Sequence, residues 1–260
     1  MINYTFSVEE LEFFLLVFVR VTCFIFSAPF FSMTNTPKRV RIALGVFVSY
    51  LIYQSLIPHE AIEYNGILEY AIIIVKEGIT GLLVGFSANI CNSIVLFAGR
   101  IVDMDIGLSM ASQFDPTTKE NGSITGIFYQ YTVMLILLMS NMHQFIIKAL
   151  VETYQLIPVN HAFFNGNKIL DAMIMYMTDF FSIGFRICLP VFCVILIVNV
   201  LLGILARVSP QLNMFAVGMQ IKILIGFGVL FLTVGMLPYV SDYIYKEMKV
   251  MMVSFVEAMM

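Results

Sequence analysis

Residues 171–207 read DAMIMYMTDFFSIGFRICLPVFCVILIVNVLLGILAR, and this sparsely charged stretch decides the class of protein to which the chain belongs. About 20 apolar helical residues cross the ~30 Å hydrocarbon core of a bilayer, so the stretch can form a membrane span. As a single helix it would extend roughly 55 Å at 1.5 Å per residue, well beyond that thickness. Pro190 cannot donate a backbone hydrogen bond, so we expect the helix to kink there.

Further apolar runs on both sides of this stretch predict more membrane spans. They cover about residues 13–31, 42–57, 78–99, 124–151 and 214–240, which makes six spans in all. Backbone polar groups in lipid must be paired within the segment, so continuously apolar runs are expected to be helices. A transmembrane β-barrel would show short segments in which apolar and polar residues alternate. The sequence therefore predicts an all-α, polytopic helical membrane protein.

The composition of the whole chain supports this class. Of the 260 residues, 60% are hydrophobic and 12% are charged, about half the ~25% charged residues of typical soluble domains. The formal net charge of -3 argues against a nucleic-acid-binding surface. The apolar excess also excludes intrinsic disorder. A soluble enzyme is excluded because too few polar side chains exist to cover a water-exposed globule.

The charges of the loops predict the orientation in the membrane. Lys38, Arg39 and Arg41 lie between the first two spans, whereas the next loop has glutamates and no Lys or Arg. The positive-inside rule places the first loop in the cytoplasm and the second outside, with both termini outside. Arg207 in the fifth loop agrees with this orientation. Two lysines after the fourth span, on the side predicted to be outside, disagree mildly with this orientation.

Three basic residues lie deep in the predicted spans: Arg20, Arg186 and Lys222. Each would cost ~2.5–3.5 kcal/mol on insertion scales if it faced lipid. Two explanations remain open. The side chains could snorkel or pair in the interior, or these helices could contact protein or a polar lumen more than lipid.

Small residues recur at three- and four-residue steps in the third span, which places them on one helical face. They are Gly78, Gly81, Gly85, Ala88 and Asn92. Such faces let helix backbones approach closely. The face predicts a packing seam, either within this chain or with another subunit.

Residues 100–123 are the least lipid-like part of the chain, because apolar and polar residues interleave there. The residue before proline avoids the α region, so Asp115 and Pro116 should stop a helix. Asp103 and Asp105 are two residues apart and should point to different faces of a helix. The segment is interpreted either as a deformable constriction or as a cytoplasmic connecting loop.

Known catalytic motifs are absent from the sequence. It contains no nucleophile elbow, zincin motif, phosphate-binding loop or dinucleotide fingerprint. The three histidines and four cysteines are not arranged at metal-ligand spacing. The chain is therefore predicted not to be an enzyme, and no cofactor or metal is expected.

Three blocks of sequence carry a family resemblance. The first covers residues 27–29, 36–41 and 43–45, and the second covers 99–107, 111, 114–116, 141–143, 149–151 and 158. The third covers residues 189–190, 202–207, 210–215, 218 and 222. In this order and spacing they closely resemble the FliR/SctT family of type III secretion export-gate proteins, over nearly the whole chain. The chain departs from the family pattern at Asp105, where Gln is usual, and at Met219 and Gln220.

The resemblance implies a function in flagellum assembly. It implies a subunit that forms with FliP and FliQ the closed gate through which unfolded flagellar proteins are exported, next to FlhB and FlhA. The location would be the bacterial inner (cytoplasmic) membrane at the flagellar basal body. A virulence type III secretion subunit remains an alternative, although the block at Asn141 favours the flagellar branch. A small-solute secondary transporter is a further alternative, but no break mirrors Pro190 in the first half of the chain.

The resemblance also implies a fold of long, kinked helical hairpins and a set of site residues. Residues 1–170 would form a FliP-like part with a plug at about 104–122, and 171–260 a FliQ-like hairpin with a C-terminal amphipathic segment. The plug or gate residues would be Ser109, Met110, Ser112, Phe114, Asp115 and Pro116. The cytoplasmic hairpin and assembly residues would be Arg207, Pro210, Gln211, Asn213, Phe215, Gly218 and Lys222. The first cytoplasmic loop would contribute Pro37, Lys38, Arg39 and Arg41, and packing would use Gly78, Gly81, Gly85 and Pro190.

Overall fold

The computed structural model describes residues 8–33, 36–56, 64, 66–110, 123–209, 211 and 213–260, and these residues are helical with connecting turns. The predicted all-α class is confirmed. The helices are α1 (Val8–Ser27), α2 (Lys38–Ser55), α3 (Ile67–Ala88), α4 (Ile90–Ile106), α5 (Ile124–Met139), α6 (Met142–Leu156), α7 (Gly166–Val208), α8 (Met214–Thr233) and α9 (Leu237–Glu257). A 3-10 turn, Val234–Met236, joins α8 to α9.

Two stretches of the described residues are long and apolar enough to cross a membrane as they stand: Gly166–Val208 and Ala216–Glu257. The count rises to four if α3 with α4 and α5 with α6 are each taken as one broken span. Both counts are lower than the six membrane spans that the sequence predicted. The helices α1 and α2 form over the first two predicted spans, but each carries at least three charged residues, which weakens it as an independent span.

Two predicted spans are each divided between two helices. Residues 78–99 are divided at Asn89, whose N–H closes the end of α3 on the carbonyls of Gly85 and Phe86. Residues 124–151 are divided at Asn141, which has φ +57. Asparagine tolerates this left-handed conformation better than most residues, so it can redirect the chain between two helices.

The long fifth span is confirmed and is longer than predicted. The helix α7 runs for 43 residues and contains Pro190 without ending there. It starts at Gly166 because Asn165 Oδ1 accepts hydrogen bonds from the N–H groups of Asn167 and Lys168, at 3.2 and 3.4 Å. An asparagine in this position satisfies donors that the first helical turn leaves free. The kink at Pro190 stays a prediction.

The chain forms two compact units. Unit 1 comprises the described residues of 1–90, 141–176 and 246–260, and unit 2 those of 91–140 and 177–245. Each unit is therefore built from separate parts of the chain. The predicted division near residue 170 concerns family likeness, and it stays a prediction.

Unit 1 has a core of apolar side chains from α1, α3, α6 and the end of α9. The end of α9 and the turn after it contribute buried side chains at three- and four-residue steps: Met248, Met251, Met252, Phe255 and Met259. Backbone N–H groups of Phe163 and Asn165 donate to the carbonyls of Met259 and Ala258, at 3.0 and 3.3 Å. The amphipathic C-terminal segment thus packs into unit 1.

Replacing Phe255 by Ala tests this packing. Phe255 is fully buried, and its ring centroid lies 6.3 Å from that of Phe86. Loss of a buried phenylalanine leaves a cavity and should lower the free energy of unfolding by about 3–5 kcal/mol. Denaturant-induced unfolding of the purified protein in detergent measures the change. Val253→Ala on the exposed side of α9 should cost under about 0.5 kcal/mol, and equal losses in both variants would contradict the packing.

Unit 2 has an aromatic cluster that joins α4 to α7. The ring of Phe97 lies 4.8, 5.5 and 5.8 Å from those of Phe180, Phe181 and Phe185. A Cβ on Gly184 would lie 2.5 Å from this ring, so glycine is required for the approach. The cluster fixes the middle of α7 against α4.

Candidate functional site

The small-residue face of α3 packs against α1 within the chain. A Cβ on Gly81 would collide with the carbonyl oxygen of Arg20, and one on Gly85 would lie 2.7 Å from the carbonyl oxygen of Phe24. A Cβ on Gly78 would lie 3.5 Å from Cys23 Sγ. From Gly81 to Gly85 the backbone contact moves from Arg20 to Phe24, four residues forward on both helices, so α1 and α3 run parallel. Of the two seams that the sequence allowed, the structure shows the one within the chain.

The buried charge of Arg20 is paired at this seam with Glu77. Arg20 Nε and Nη2 donate to the two carboxylate oxygens of Glu77, at 2.5 and 3.0 Å. Both side chains are fully buried. A two-pronged guanidinium–carboxylate pair of this kind is charge-assisted and specific in its geometry. The pairing explanation therefore holds for Arg20.

Three further contacts connect this ion pair to the end of α6. Arg20 Nη1 donates to the carbonyl oxygen of Ile157 at 2.8 Å, and the N–H of Asn160 donates to Glu77 Oε1 at 3.0 Å. The guanidinium lies 4.3 Å from the ring centroid of Tyr154, whose hydroxyl donates to the carbonyl of Val17 at 3.1 Å. Three segments of unit 1 meet at one hydrogen-bonded charge pair.

Unit 2 contains an open cleft of about 330 Å³ between the end of α4, α7 and the start of α8, here called the α4–α7–α8 cleft. Its lining residues are Met104, Asp105, Ile106, Gly107, Met110, Asn199, Leu202, Gly218, Met219 and Lys222. One predicted plug residue, Met110, thus meets two predicted hairpin residues, Gly218 and Lys222. This meeting is what makes the cleft the candidate functional site.

Charge and exposure distinguish the cleft from a packed core. Asp105 Oδ2 is buried and has no hydrogen-bond partner among the described residues, and Lys222 is near enough to act on it electrostatically. Met104 and Met110 are 70% and 42% exposed. Lys222 lines the cleft together with Asp105 and Asn199, and an opposite charge nearby lowers the cost of placing a lysine at membrane depth. Flexible methionine side chains adapt well to surfaces that change shape.

A second polar cluster joins the end of α4 to the start of α5. Ser123 Oγ donates to Asp103 Oδ2 at 2.6 Å and accepts from the N–H of Gly126 at 2.8 Å. The N–H of Thr125 lies 3.2 Å from each carboxylate oxygen of Asp103. Asp103 points to α5 and Asp105 to the cleft, so the predicted divergence of these two carboxylates is confirmed.

The other predicted residues are dispersed. Ser109 is partly buried beside Met110. Five other predicted site residues lie outside the described residues: Ser112, Phe114, Asp115, Pro116 and Pro210. Arg207 lies in the last turn of α7, Gln211 in an exposed turn and Phe215 in the first turn of α8. Asn213 Oδ1 accepts from the N–H of Ala216 at 3.5 Å and caps α8. Arg186 Cζ lies 5.6 Å from the ring centroid of Tyr243.

The residues of the first predicted cytoplasmic loop form the start of α2. Pro37 is its N-cap, and Lys38, Arg39 and Arg41 occupy its first turn. Arg41 Nη2 donates to the carbonyl oxygen of Met33. Cations at a helix N-terminus oppose the helix dipole, so Lys38 and Arg39, both exposed, do not stabilise α2. Their positions agree with a role in membrane orientation.

Sequence reasoning missed Glu77 and Ser123 as site residues. Glu77 is 57 residues from Arg20, and no local pattern connects the two. A usable signal existed, because Glu77 directly precedes the first glycine of the small-residue face. Ser123 directly precedes the apolar run of α5, as an N-cap residue does. Within the described ranges, no group of His, Cys, Asp and Glu could hold a metal ion.

Comparison with known proteins identifies the family. The family model described as "Bacterial export proteins, family 1" matches residues 11–248. Flagellar biosynthetic protein FliR of Bacillus subtilis (strain 168) is 30% identical over 235 residues, which is 90% of each chain. FliR of Escherichia coli (strain K12) is 26% identical over 88% of this chain and 87% of its own. FliR of Aquifex aeolicus (strain VF5) is 25% identical over 93% and 92%.

These relatives are similar over nearly their whole length, and the matching family is one of export proteins and not of enzymes. The resemblance carried by the three sequence blocks is confirmed. The chain belongs to family 1 of the bacterial export proteins, the family that includes the flagellar biosynthetic protein FliR of these bacteria.

Proposed function

We propose that this protein is a subunit of the flagellar type III export gate, in which it forms with FliP and FliQ the closed channel for unfolded flagellar proteins. The observation that carries the proposal is the family match over residues 11–248 together with FliR relatives that cover about nine tenths of the chain. The gate would lie in the bacterial inner membrane, at the flagellar basal body.

The exposed faces of the long helices support membership in a larger assembly. Large apolar side chains are exposed along α7 and α8, among them Phe185 at 52%, Ile197 at 62%, Leu224 at 75% and Phe231 at 81%. Within an apolar stretch of 18 residues in each of Gly166–Val208 and Ala216–Glu257, only 22% and 17% of the residues are buried. Surfaces this apolar require lipid or partner subunits to cover them.

The family likeness assigns the parts of the chain within the gate. Residues 1–170 would be the FliP-like part and 171–260 the FliQ-like hairpin. The turn at 207–213 would face the cytoplasm near FlhB, with FlhA close by. The α4–α7–α8 cleft supports this assignment, because it brings Met110 beside Gly218 and Lys222, one from the proposed plug and two from the proposed hairpin.

Co-purification tests the proposed assembly. An affinity-tagged copy of this chain, expressed from its own locus, should retain FliP- and FliQ-like chains after mild detergent extraction of the membranes. Deleting the gene should abolish motility and the secretion of flagellar proteins, and a plasmid copy should restore both. A chain that purifies alone as a monomer, together with normal motility of the deletion strain, would overturn the proposal and favour a transporter.

The proposed plug has its own expected result. Deleting residues 109–122 should raise the leakage of small ions through membranes that contain the assembled gate, because the residues proposed to seal the lumen are gone. Dissipation of an imposed ion gradient in vesicles measures the leak. A deletion variant that still co-purifies with its partners and leaks no more than the wild type would contradict the plug assignment.

A further inference from the structure

The junction between α4 and α5 is built more tightly than a connection between two mobile helices requires. A Cβ on Gly99 would collide with the backbone of Gly126, so the two helices touch at their glycines. Close backbone contact of this kind leaves no room for a side chain in between. Any separation of α4 from α5 would break this contact completely.

One carboxylate holds this junction together. Asp103 is 3% exposed, and its partners Ser123 and Thr125 are 9% and 3% exposed. It accepts one hydrogen bond from the Ser123 hydroxyl and one from the N–H of Thr125. Hydrogen bonds to a charged group are stronger than those between neutral groups, and a buried donor left without its partner carries a further cost. The junction is therefore stable against fluctuations that separate the helix ends.

The geometry points to Asp103 as a positioning residue that keeps the α4–α5 junction closed both at rest and during export. This inference rests on the proposed function. Residue 103 would stay in contact with residues 123–125, and the conformational change that admits a substrate would occur without separating α4 from α5. Asp103 does not touch the substrate, and its effect is exerted through Ser123 and Thr125.

Covalent replacement of the hydrogen bond tests the inference. In the complete gate, the double variant Asp103→Cys/Ser123→Cys puts thiols on the two facing side chains whose polar ends lie 2.6 Å apart in the wild type, with the sulfur at position 103 one bond short of the carboxylate oxygen. With the thiols reduced, we expect the resting ion leak of inverted membrane vesicles to rise about tenfold, as the loss of a charged hydrogen bond allows. Oxidation to the disulfide should return the leak to the wild-type level and leave export of a flagellar substrate intact.

Two results would overturn the inference. One is a block of export in the oxidised form that reduction reverses, which would mean that the junction must open. The other is a wild-type leak in the reduced double variant. Cross-linking is scored by protection of the two thiols from a maleimide label, in a background where the exposed Cys193 is Ser. Cys193→Ser alone is the matched control for the oxidant.

Further measurements separate this inference from folding defects and from failure of the proposed function. Asp103→Asn keeps an acceptor oxygen for Thr125 and should leak less than Asp103→Ala, with both proteins present at equal abundance. A wild-type leak in Asp103→Ala at normal abundance would contradict the positioning role. Co-purification of FliP- and FliQ-like chains is measured in every variant. If the wild-type chain does not co-purify with these partners, the proposed function is contradicted. If it does, the leak and export results test the role of Asp103 alone.

Discussion

Replacing Glu77 with Ala is expected to lower the free energy of unfolding of unit 1 by about 3–5 kcal/mol, because Arg20 is left buried without its counter-charge. The guanidinium is fully buried and keeps hydrogen bonds only to backbone carbonyls in that variant. Denaturant-induced unfolding in detergent measures the loss. In cells, the same variant should accumulate to a lower level than the wild-type protein.

Two variants make this prediction specific. Arg20→Met/Glu77→Met should recover much of the stability, because apolar residues of similar volume often replace a buried ion pair at little cost. Recovery should be incomplete, since the carbonyl of Ile157 and the N–H of Asn160 lose their partners. The control is Glu152→Ala, which removes an exposed pair with Lys148 at 3.6 Å and should cost under about 1 kcal/mol. Wild-type stability of Glu77→Ala would refute the role of the pair.

Replacing Gly81 with Ala is expected to separate α1 from α3. The new methyl group would occupy the position of the Arg20 carbonyl oxygen, which is backbone and cannot rotate away. Overpacking costs about 1–3 kcal/mol where side chains can adjust, so a collision with backbone should reach or exceed the upper value. The displacement would also pull Arg20 from Glu77. We expect a lower unfolding midpoint and weaker co-purification of partner chains.

Gly228→Ala in α8 is the matched control for Gly81→Ala. A Cβ on Gly228 meets nothing within 4 Å in the chain. Alanine is favoured over glycine in a helix by about 1 kcal/mol, so this variant should be as stable as the wild type or more so. If both variants behaved alike in unfolding and in co-purification, the close approach of α1 and α3 would be refuted.

The predictable part of the fold is the part governed by local composition. The apolar run around Pro190 predicted α7 because continuous apolar sequence of that length has few stable alternatives to a helix in a membrane. Interruptions at Asn89 and Asn141 were missed because a single asparagine inside an apolar run gives no periodic signal. The helices α1 and α2 were taken as full spans, although their charges make them weaker spans than the others.

The sequence identified site residues correctly where the residues of a family block also lie together in the structure. The family blocks singled out Met110, Gly218 and Lys222, and the structure places all three around one cleft. The same blocks contain Asp103, but they did not predict its hydrogen bonds, because the partners Ser123 and Thr125 lie outside the blocks. A motif identifies residues that recur together in a family, whereas a hydrogen bond depends on which helix faces pack.

By itself, the sequence determined that this protein is helical, apolar enough for a membrane, and a member of an export family. These properties follow from composition, run length and ordered motifs, all of which act locally or sum over the chain. Only the tertiary structure decided that Arg20 pairs with Glu77, that Gly81 meets the backbone of α1, and that Asp103 holds the start of α5. Such pairs depend on the rotation and register of packed helices, and helical periodicity alone leaves both open.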